Sequence, residues 1–213
     1  MKKLLMFLLA FFFATGSAFA FTTIIPDNVI NWPGYESCYS GDSIGVPVVE
    51  DMAVTIEAGA LASVVIDVRS RTVRNTGDWL FINIDGEWDT WDYVVVETTA
   101  GAAMYSVPES YVYTTYGGAG GRFGHPNGLE EVGAEVGFLQ SLVYDDPTDL
   151  LTYTFDGLLL DTINEDMITI GYTMWCANDV TGGQIPIPEP ATLLLLGTGF
   201  IGLAFLGRKK LFK

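Results

Sequence analysis

Short hydrophobic runs, each broken after a few positions by turn-forming residues, fill the chain between residues 21 and 185. The runs are rich in valine, isoleucine, threonine, tyrosine and tryptophan, as in residues 64–68, 79–84, 93–97 and 110–116. Glycine, aspartate and asparagine separate them, as in Asp85-Gly86. Such runs between such turns are typical of β-strands. The pattern predicts an all-β domain, an antiparallel β-sandwich of about 7–10 strands.

One later segment alternates strictly. The positions on one side are Ile168, Ile170, Tyr172, Met174 and Cys176, and those on the other include Thr169 and Thr173. This period of two predicts a half-buried strand. The only plausible helix in this body covers residues 130–142, where Gly133 and Gly137 count against it.

The first twenty residues have the three parts of a secretory signal peptide. Lys2 and Lys3 precede an apolar run from Leu4 to Phe13, and small residues at Ala18 and Ala20 follow it. An apolar run of this length is too short for a permanent membrane helix. We therefore expect residues 1–20 to be removed by cleavage after Ala20, which implies export of the chain.

The other end of the chain changes character at residue 186. Three prolines within residues 186–190 predict an extended, polyproline-like stalk. The uncharged stretch that follows predicts a transmembrane helix over residues 191–207. The basic residues Arg208, Lys209 and Lys210 begin the tail of residues 208–213 and place it in the cytoplasm, with the acidic body outside.

The tripeptide Pro188-Glu189-Pro190, the apolar stretch after it and the basic end resemble the PEP-CTERM sorting domain of Gram-negative bacteria. The resemblance covers about residues 186–213, and it lies in the combination of these features at the end of the chain. It implies recognition by an exosortase, a multi-pass membrane transpeptidase, with cleavage near the tripeptide. It also implies a host that makes extracellular polysaccharide, which would be a further partner. An ordinary single-pass anchor is the alternative.

The charge of the body limits its partners. Residues 21–190 contain no lysine, and four arginines against 26 carboxylates leave a formal charge of −22. Nucleic acids are bound mainly through lysine and arginine contacts to phosphates, so we expect no nucleic-acid partner. Repulsion from anionic lipid surfaces is expected as well, so contact with the inner membrane is left to the tail helix as a transient anchor.

Two cysteines, Cys38 and Cys176, remain in the exported body. An even number of cysteines in an oxidising compartment favours a disulfide between them. Such a bond would close nearly the whole domain, and the chain-entropy estimate for its contribution is about 5 kcal/mol. Two buried thiols are the alternative.

Candidate chemistry is sparse. The single histidine, His125, is expected to face solvent in a loop, and no nucleophile motif accompanies it. Residues 85–92, which we call the acidic loop, carry carboxylates at spacings that suit Ca²⁺, but a hairpin turn explains them without a metal. Trp88 and Trp91 in this loop could stack on sugar rings, and a regular strand would direct them to opposite sides.

These observations divide the chain into a signal peptide (1–20), an exported acidic β-domain (21–185) and a sorting tail (186–213). The expected product is a non-enzymatic protein without cofactor or metal, held first as an inner-membrane precursor and then released to the cell surface or extracellular matrix. A secreted carbohydrate-binding module would instead show an exposed aromatic strip on one sheet face. A glycosidase would show two carboxylates about 5–9 Å apart in a cleft.

Overall fold

The structure is a computed structural model, and it describes residues 20–27, 32, 47–69, 77–88, 90–98, 100–115, 125–160, 166–177, 179–187 and 199. The statements below concern these residues. The signal peptide up to residue 19, Cys38 and the tail beyond Ile187, apart from Gly199, lie outside them.

The described residues of the body form thirteen strands, and every pair of neighbours is antiparallel. The strands are β1 (Ala20–Pro26), β2 (Val48–Glu57), β3 (Ala60–Arg69), β4 (Trp79–Asn83), β5 (Tyr93–Thr98), β6 (Gly101–Ser106), β7 (Tyr113–Thr115), β8 (Pro126–Leu129), β9 (Glu135–Val136), β10 (Leu139–Asp145), β11 (Leu150–Leu159), β12 (Met167–Thr173) and β13 (Val180–Pro186). Sheet A has the order β1-β2-β3-β11-β10, and sheet B has the order β13-β12-β4-β5-β6-β9. β7 and β8 form a small third sheet.

Sheets A and B share one hydrophobic core. Val54, Val64 and Tyr153 enter it from sheet A, and Leu80 and Ile170 enter it from sheet B, all with no solvent exposure. Along β2 and β3 buried side chains alternate with partly exposed ones, because successive residues of a strand point to opposite faces. Two antiparallel sheets around a common core are arranged as in a β-sandwich.

The number of strands and the treatment of residues 130–142 differ from the sequence-based expectation. Thirteen strands exceed the seven to ten predicted, partly because β7, β8 and β9 have only two to four residues, too few to leave a periodic pattern. Residues 130–142 contain β9 and the start of β10, joined by a turn at Gly137 and Phe138, so a helix is wrong for this segment.

The prediction of a half-buried β12 is wrong. Ile168, Ile170 and Tyr172 enter the shared core as the alternation indicates. Thr169 and Thr173 on the other side are equally inaccessible to solvent. The reason is that other segments cover this side of the strand: the hydroxyl of Thr169 donates to the carbonyl oxygen of Gly86 at 2.9 Å, and that of Thr173 donates to the carbonyl oxygen of Pro126.

Candidate functional site

The last strand of the body leads directly into the segment expected to be the sorting tail. β13 ends at Pro186, which lies opposite Met167 on β12. The next residue, Ile187, is buried, and its backbone N–H donates to the carbonyl oxygen of Asp166 at 2.7 Å. Pro188, the first residue of the tripeptide, follows immediately. The folded body therefore continues to the residue before the motif.

The predicted start of the extended stalk at residue 186 is wrong, because the first two of its residues are held by the folded body. Pro186 belongs to sheet B, and Ile187 directly after it is bonded to Asp166, although proline normally interrupts a sheet. β13 is an edge strand, and an edge strand tolerates proline because the missing N–H need not face a neighbouring strand. Two of the five residues assigned to the stalk are thus fixed to the body.

The first and last strands of the body lie side by side at one edge of the two sheets. Ile25 of β1 packs against Gly183 of β13, since a Cβ atom on that glycine would stand 3.2 Å from Cγ2 of Ile25. The N–H of Val49 donates to Oδ2 of Asp179 at 2.8 Å, which brings the start of β13 to the region where β1 ends. β1 and β13 therefore run in opposite directions, and the start of β1 lies towards the end of β13.

The predicted signal cleavage site coincides with the start of β1. Ala20 is the first residue of the strand and pairs with Glu57, and Phe21 pairs with Ile56. Ala18 lies outside the described residues. Cleavage after Ala20 would leave Phe21 as the first residue of a strand already paired over its length. The cleavage itself stays a prediction.

Cys176 is buried in the turn after β12 and belongs to the shared core, together with Met174. This agrees with the inward side assigned to Cys176 from the alternation. Its proposed partner, Cys38, lies outside the described residues. The Cys38–Cys176 disulfide therefore stays a prediction.

Aromatic side chains cover the outer face of sheet B. Trp32, Phe81 and Trp91 are buried in one cluster, and Trp88 and Tyr113 pack against it partly exposed. The ring centroids of Trp88 and Trp91 are 5.9 Å apart, and the indole N–H of Trp91 donates to the hydroxyl of Tyr113 at 2.6 Å. We call this group the aromatic cluster.

The opposite orientation expected for Trp88 and Trp91 is wrong. Both follow β4 in the acidic loop, where the alternation of a regular strand does not apply, and both turn towards the same face. Trp32 comes from a distant part of the sequence and contacts both at tilted ring angles, with centroid distances of 6.2 Å to Trp88 and 5.5 Å to Trp91. These indoles pack against one another and against the outer face of sheet B.

Glycines provide the space for the indoles. A Cβ atom on Gly171 of β12 would stand 2.5 Å from Cη2 of Trp32, and one on Gly182 of β13 would stand 2.5 Å from Cη2 of Trp88. Real Cβ atoms essentially never approach so closely. β12 and β13 therefore carry glycine at the positions where an indole approaches the strand.

The acidic loop is organised by hydrogen bonds within the protein. Oδ1 of Asn83 accepts the backbone N–H groups of Asp85 and Glu87, and its Nδ2 donates to the carbonyl oxygen of Thr90. Oδ2 of Asp92 accepts the N–H of Ile84 at 2.7 Å. Burial raises the pKa of Asp92 despite that N–H, and the neighbouring Asp85 adds to the increase.

These bonds bear on the Ca²⁺ alternative. Asn83 at the end of β4 and Asp92 in the acidic loop carry side-chain oxygens, and both already accept backbone N–H groups. Among the described residues, which omit Asp89, no group of three His, Cys, Asp or Glu side chains is placed to hold a metal ion. The hydrogen bonds show how the described part of the loop is held, and the choice between a hairpin turn and a Ca²⁺ site stays a prediction.

The outer face of sheet A carries rows of small side chains across all five strands. One row consists of hydroxyl residues: Thr22, Thr55, Ser63, Thr154 and Ser141. The next consists of Ile24, Ala53, Val65, Thr152 and Val143. No aromatic residue occurs in these two rows, so they do not form the aromatic strip expected of a carbohydrate-binding module.

A third row on this face is acidic. Asp51 and Asp67 lie directly opposite each other on β2 and β3. Burial is the main reason that the pKa of Asp67 is raised, and the charge of Asp51 contributes, whereas Arg69 lowers it. Arg69 also forms an ion pair with Glu50 at 3.1 Å.

The exposed position expected for His125 is wrong. Its side chain is fully buried, with Nδ1 3.3 Å from the carbonyl oxygen of Ala177. The sequence also did not indicate which carboxylates are buried, among them Asp78. Asp78 accepts the hydroxyl of Tyr172 at 2.5 Å and the N–H of Trp175 at 3.1 Å. No sequence signal distinguishes Asp78 from the other carboxylates of this acidic chain.

The residues that define the predicted sorting signal, namely Pro188, Glu189, Pro190, Arg208, Lys209 and Lys210, lie outside the described residues. The predicted membrane helix over 191–207 does as well, except for Gly199. In the part of the chain that the structure describes, no helix is long and apolar enough to cross a membrane.

Comparison with known families identifies the tail. Residues 186–210 match the model of the PEP-CTERM protein-sorting motif, which confirms the resemblance found in the sequence. The match begins at the last residue of β13 and includes the tripeptide and the basic residues. No curated protein and no solved structure matches the chain. The motif implies exosortase-dependent sorting of an exported protein through a membrane-anchored precursor.

Proposed function

With the sorting motif at residues 186–210 as the premise, we propose that this chain is a non-enzymatic protein of the cell surface or extracellular matrix. The signal peptide directs the body across the inner membrane, and the tail helix holds the precursor there. An exosortase-type transpeptidase then cleaves near Pro188-Glu189-Pro190 and releases the β-domain from its membrane anchor. The mature protein is the β-domain that begins near Phe21.

The observation that carries this proposal is the position of the motif. Among the described residues the folded body extends to Ile187, which lies within the matched segment and directly precedes Pro188. A β-domain ahead of a sorting segment is the arrangement expected if the β-domain is the exported product and the tail is the signal that directs its sorting. The acidic body also keeps itself soluble and away from anionic lipid through its charge.

A structural or interaction role is supported by how the body uses its polar groups. Asp78 and Asp179 accept backbone N–H groups from other parts of the chain, and Asn83 organises the acidic loop. The side-chain oxygens of these residues stabilise the fold. A catalytic group would instead need its oxygens to contact a substrate. The indoles considered as sugar platforms are packed in the aromatic cluster, so the carbohydrate-binding alternative gains no support from them.

The test is the mass of the mature protein in its own host. The full-length chain is expressed in strains with and without the exosortase, and cell-surface, medium and inner-membrane fractions are compared by intact-mass spectrometry. We expect a product without residues 1–20 and without the tail helix at the surface or in the medium. In the strain without the exosortase, the precursor should stay in the inner membrane. A tail retained in both strains would contradict the proposal and favour a permanent anchor.

A further inference from the structure

The junction between β13 and the motif has a consequence for how the tail can be cleaved. On the basis of the proposed sorting function, we propose that the end of β13 leaves sheet B before cleavage. Pro186 and Ile187 then enter the exosortase as one extended segment with Pro188-Glu189-Pro190. The closed strand, with Ile187 bonded to Asp166, is the form that the enzyme cannot use.

The first argument is space. Three residues separate Ile187 from Ala191, where the predicted membrane helix begins. Even when fully extended, the chain between these two Cα atoms spans at most about 14 Å. The headgroup layer on one side of a bilayer takes about 5–8 Å of that length. The remaining gap of less than about 10 Å is smaller than the diameter of one helix with its side chains. A folded body that remains closed up to Ile187 therefore leaves no room for an enzyme around the motif.

The second argument is competition for the backbone. Proteins that bind an extended peptide do so largely through its main-chain N–H and C=O groups. Ahead of the motif these groups are already engaged, because the N–H of Ile187 donates to the carbonyl oxygen of Asp166 at 2.7 Å. The side chain of Ile187 is buried in the shared core. An enzyme can contact this part of the chain only after both interactions are broken.

The third argument is that the position of the strand makes its release possible. Among the strands that the structure describes, β13 stands at the edge of sheet B and has one hydrogen-bonded neighbour, β12. Pro186 is exposed and has no N–H to donate. Ile187 is attached by its backbone hydrogen bond and its side chain, and further attachments lie behind it, at Ile185, which is fully buried, and at Gln184, whose Nε2 donates to the carbonyl oxygen of Gly86. Release of Pro186 and Ile187 thus leaves the rest of β13 in place.

The experiment uses the full-length precursor. One variant holds the end of β13 in place with a disulfide, and another makes its release unnecessary with a spacer. Met167→Cys combined with Pro186→Cys places two cysteines at directly paired positions. The Cα atoms of such pairs are about 4.5–5.5 Å apart, within the range that a disulfide spans. In a second variant, an eight-residue Gly/Ser spacer separates Ile187 from Pro188. A third variant carries both changes, and the two single-cysteine variants serve as controls. Pulse–chase labelling in cells with the exosortase measures the rate at which precursor becomes mature protein.

We expect the disulfide to slow cleavage at least tenfold at the native spacing and to have less than a twofold effect when the spacer is present. The spacer alone should accelerate cleavage. Single-cysteine variants should behave like the wild type. Cleavage of the cross-linked precursor at the wild-type rate, or a disulfide effect that the spacer does not relieve, would overturn the inference. Absence of cleavage in every variant, wild type included, would instead contradict the sorting function itself, so the two failures are distinguishable.

Discussion

Trp32 lies over Gly171 so closely that a Cβ atom on the glycine would stand 2.5 Å from Cη2 of the indole. Trp91 approaches the same point, with its Cη2 at 3.0 Å. The two indoles therefore share one gap on the outer face of sheet B, and the absence of a side chain at residue 171 creates that gap. The aromatic cluster and the composition of β12 are parts of the same arrangement.

Gly171→Ala should destabilise the body. Both neighbours of the added methyl group are rigid ring atoms, so the rings or the strand must shift. Overpacking of this kind costs about 1–3 kcal/mol, which corresponds to roughly 3–9 °C in melting temperature for a domain of this size. Gly137→Ala is the matched control, because a Cβ atom there has no heavy atom within 4 Å. Equal melting temperatures for the two variants would contradict close packing of the indoles against residue 171.

Asp67→Asn should stabilise the body at neutral pH. Burial, with help from Asp51, raises the pKa of Asp67, so the folded protein holds this proton more tightly than the unfolded chain. Ionisation of Asp67 therefore costs folding free energy, and the cost grows as the pH rises from the ordinary pKa of 3.8 through the raised value. The gain of the asparagine variant should be full at pH 7 and absent well below the ordinary pKa.

Urea unfolding at pH 7 and at pH 3 measures this dependence. Glu109→Gln removes an exposed carboxylate outside the acidic row and controls for the general effect of net charge. An equal gain for both variants, or a gain for Asp67→Asn that persists at pH 3, would contradict the role assigned to the Asp51–Asp67 pair.

The secreted body should contain a Cys38–Cys176 disulfide. Alkylation before reduction should then add no mass, and alkylation after reduction should add two groups. Cys38→Ser and Cys176→Ser should each lower the free energy of unfolding, by an amount on the order of 5 kcal/mol for a loop that closes nearly the whole domain. Since both variants remove the same bond, the double variant should lose little more than either one. Two thiols that react without reduction would rule out the bond.

The mature chain should begin at Phe21. Signal peptidase selects small residues at the positions of Ala18 and Ala20, so Ala20→Leu should leave a precursor that retains residues 1–20. Phe19→Leu changes the intervening position and should be processed normally. N-terminal sequencing of the exported protein distinguishes these results. A mature N-terminus well inside β1 would show that the strand is not preserved after export.

Glu189→Ala should leave export intact and block the handover. Glu189 is the only charged residue between Asp179 and Arg208, so it is the distinctive polar group of the segment that the exosortase encounters. Membrane insertion depends on the apolar helix and the basic end, and one carboxylate outside them contributes little. Fractionation should show uncleaved precursor in the inner membrane. Glu130→Ala, which removes an exposed carboxylate of the body, should be cleaved as the wild type is.

The β-strands of the body could be predicted because the residue types that favour a strand are consecutive in the sequence. Runs of β-branched and aromatic residues between turns mark β3, β4 and β5 without reference to their neighbours. The two sides of β12 could be separated in the same way, and Ile168, Ile170 and Tyr172 enter the shared core as expected. What covers the other side could not be predicted, since Trp32 reaches it from outside the sheet.

The candidate site was predicted where the signal is consecutive in sequence and missed where it depends on tertiary context. Pro188-Glu189-Pro190 and the basic end are contiguous patterns, and both lie within the segment that matches the sorting motif. Pro186 has the same composition signal as the rest of the expected stalk, yet its place at a sheet edge keeps it in β13. His125 is buried by residues distant in sequence, among them Ala177, and the sequence around His125 does not indicate such a contact.

The start of β1 has a practical consequence for handling the protein. Because residues 21–190 contain no lysine, a chain cleaved after Ala20 and near the tripeptide keeps a single primary amine, the α-amino group of Phe21. Phe21 is 39% exposed and lies on the edge strand of sheet A. Amine-reactive reagents should therefore attach one dye or one surface tether per molecule, always at the same point. Every immobilised copy would then present the acidic and hydroxyl rows of sheet A in the same orientation.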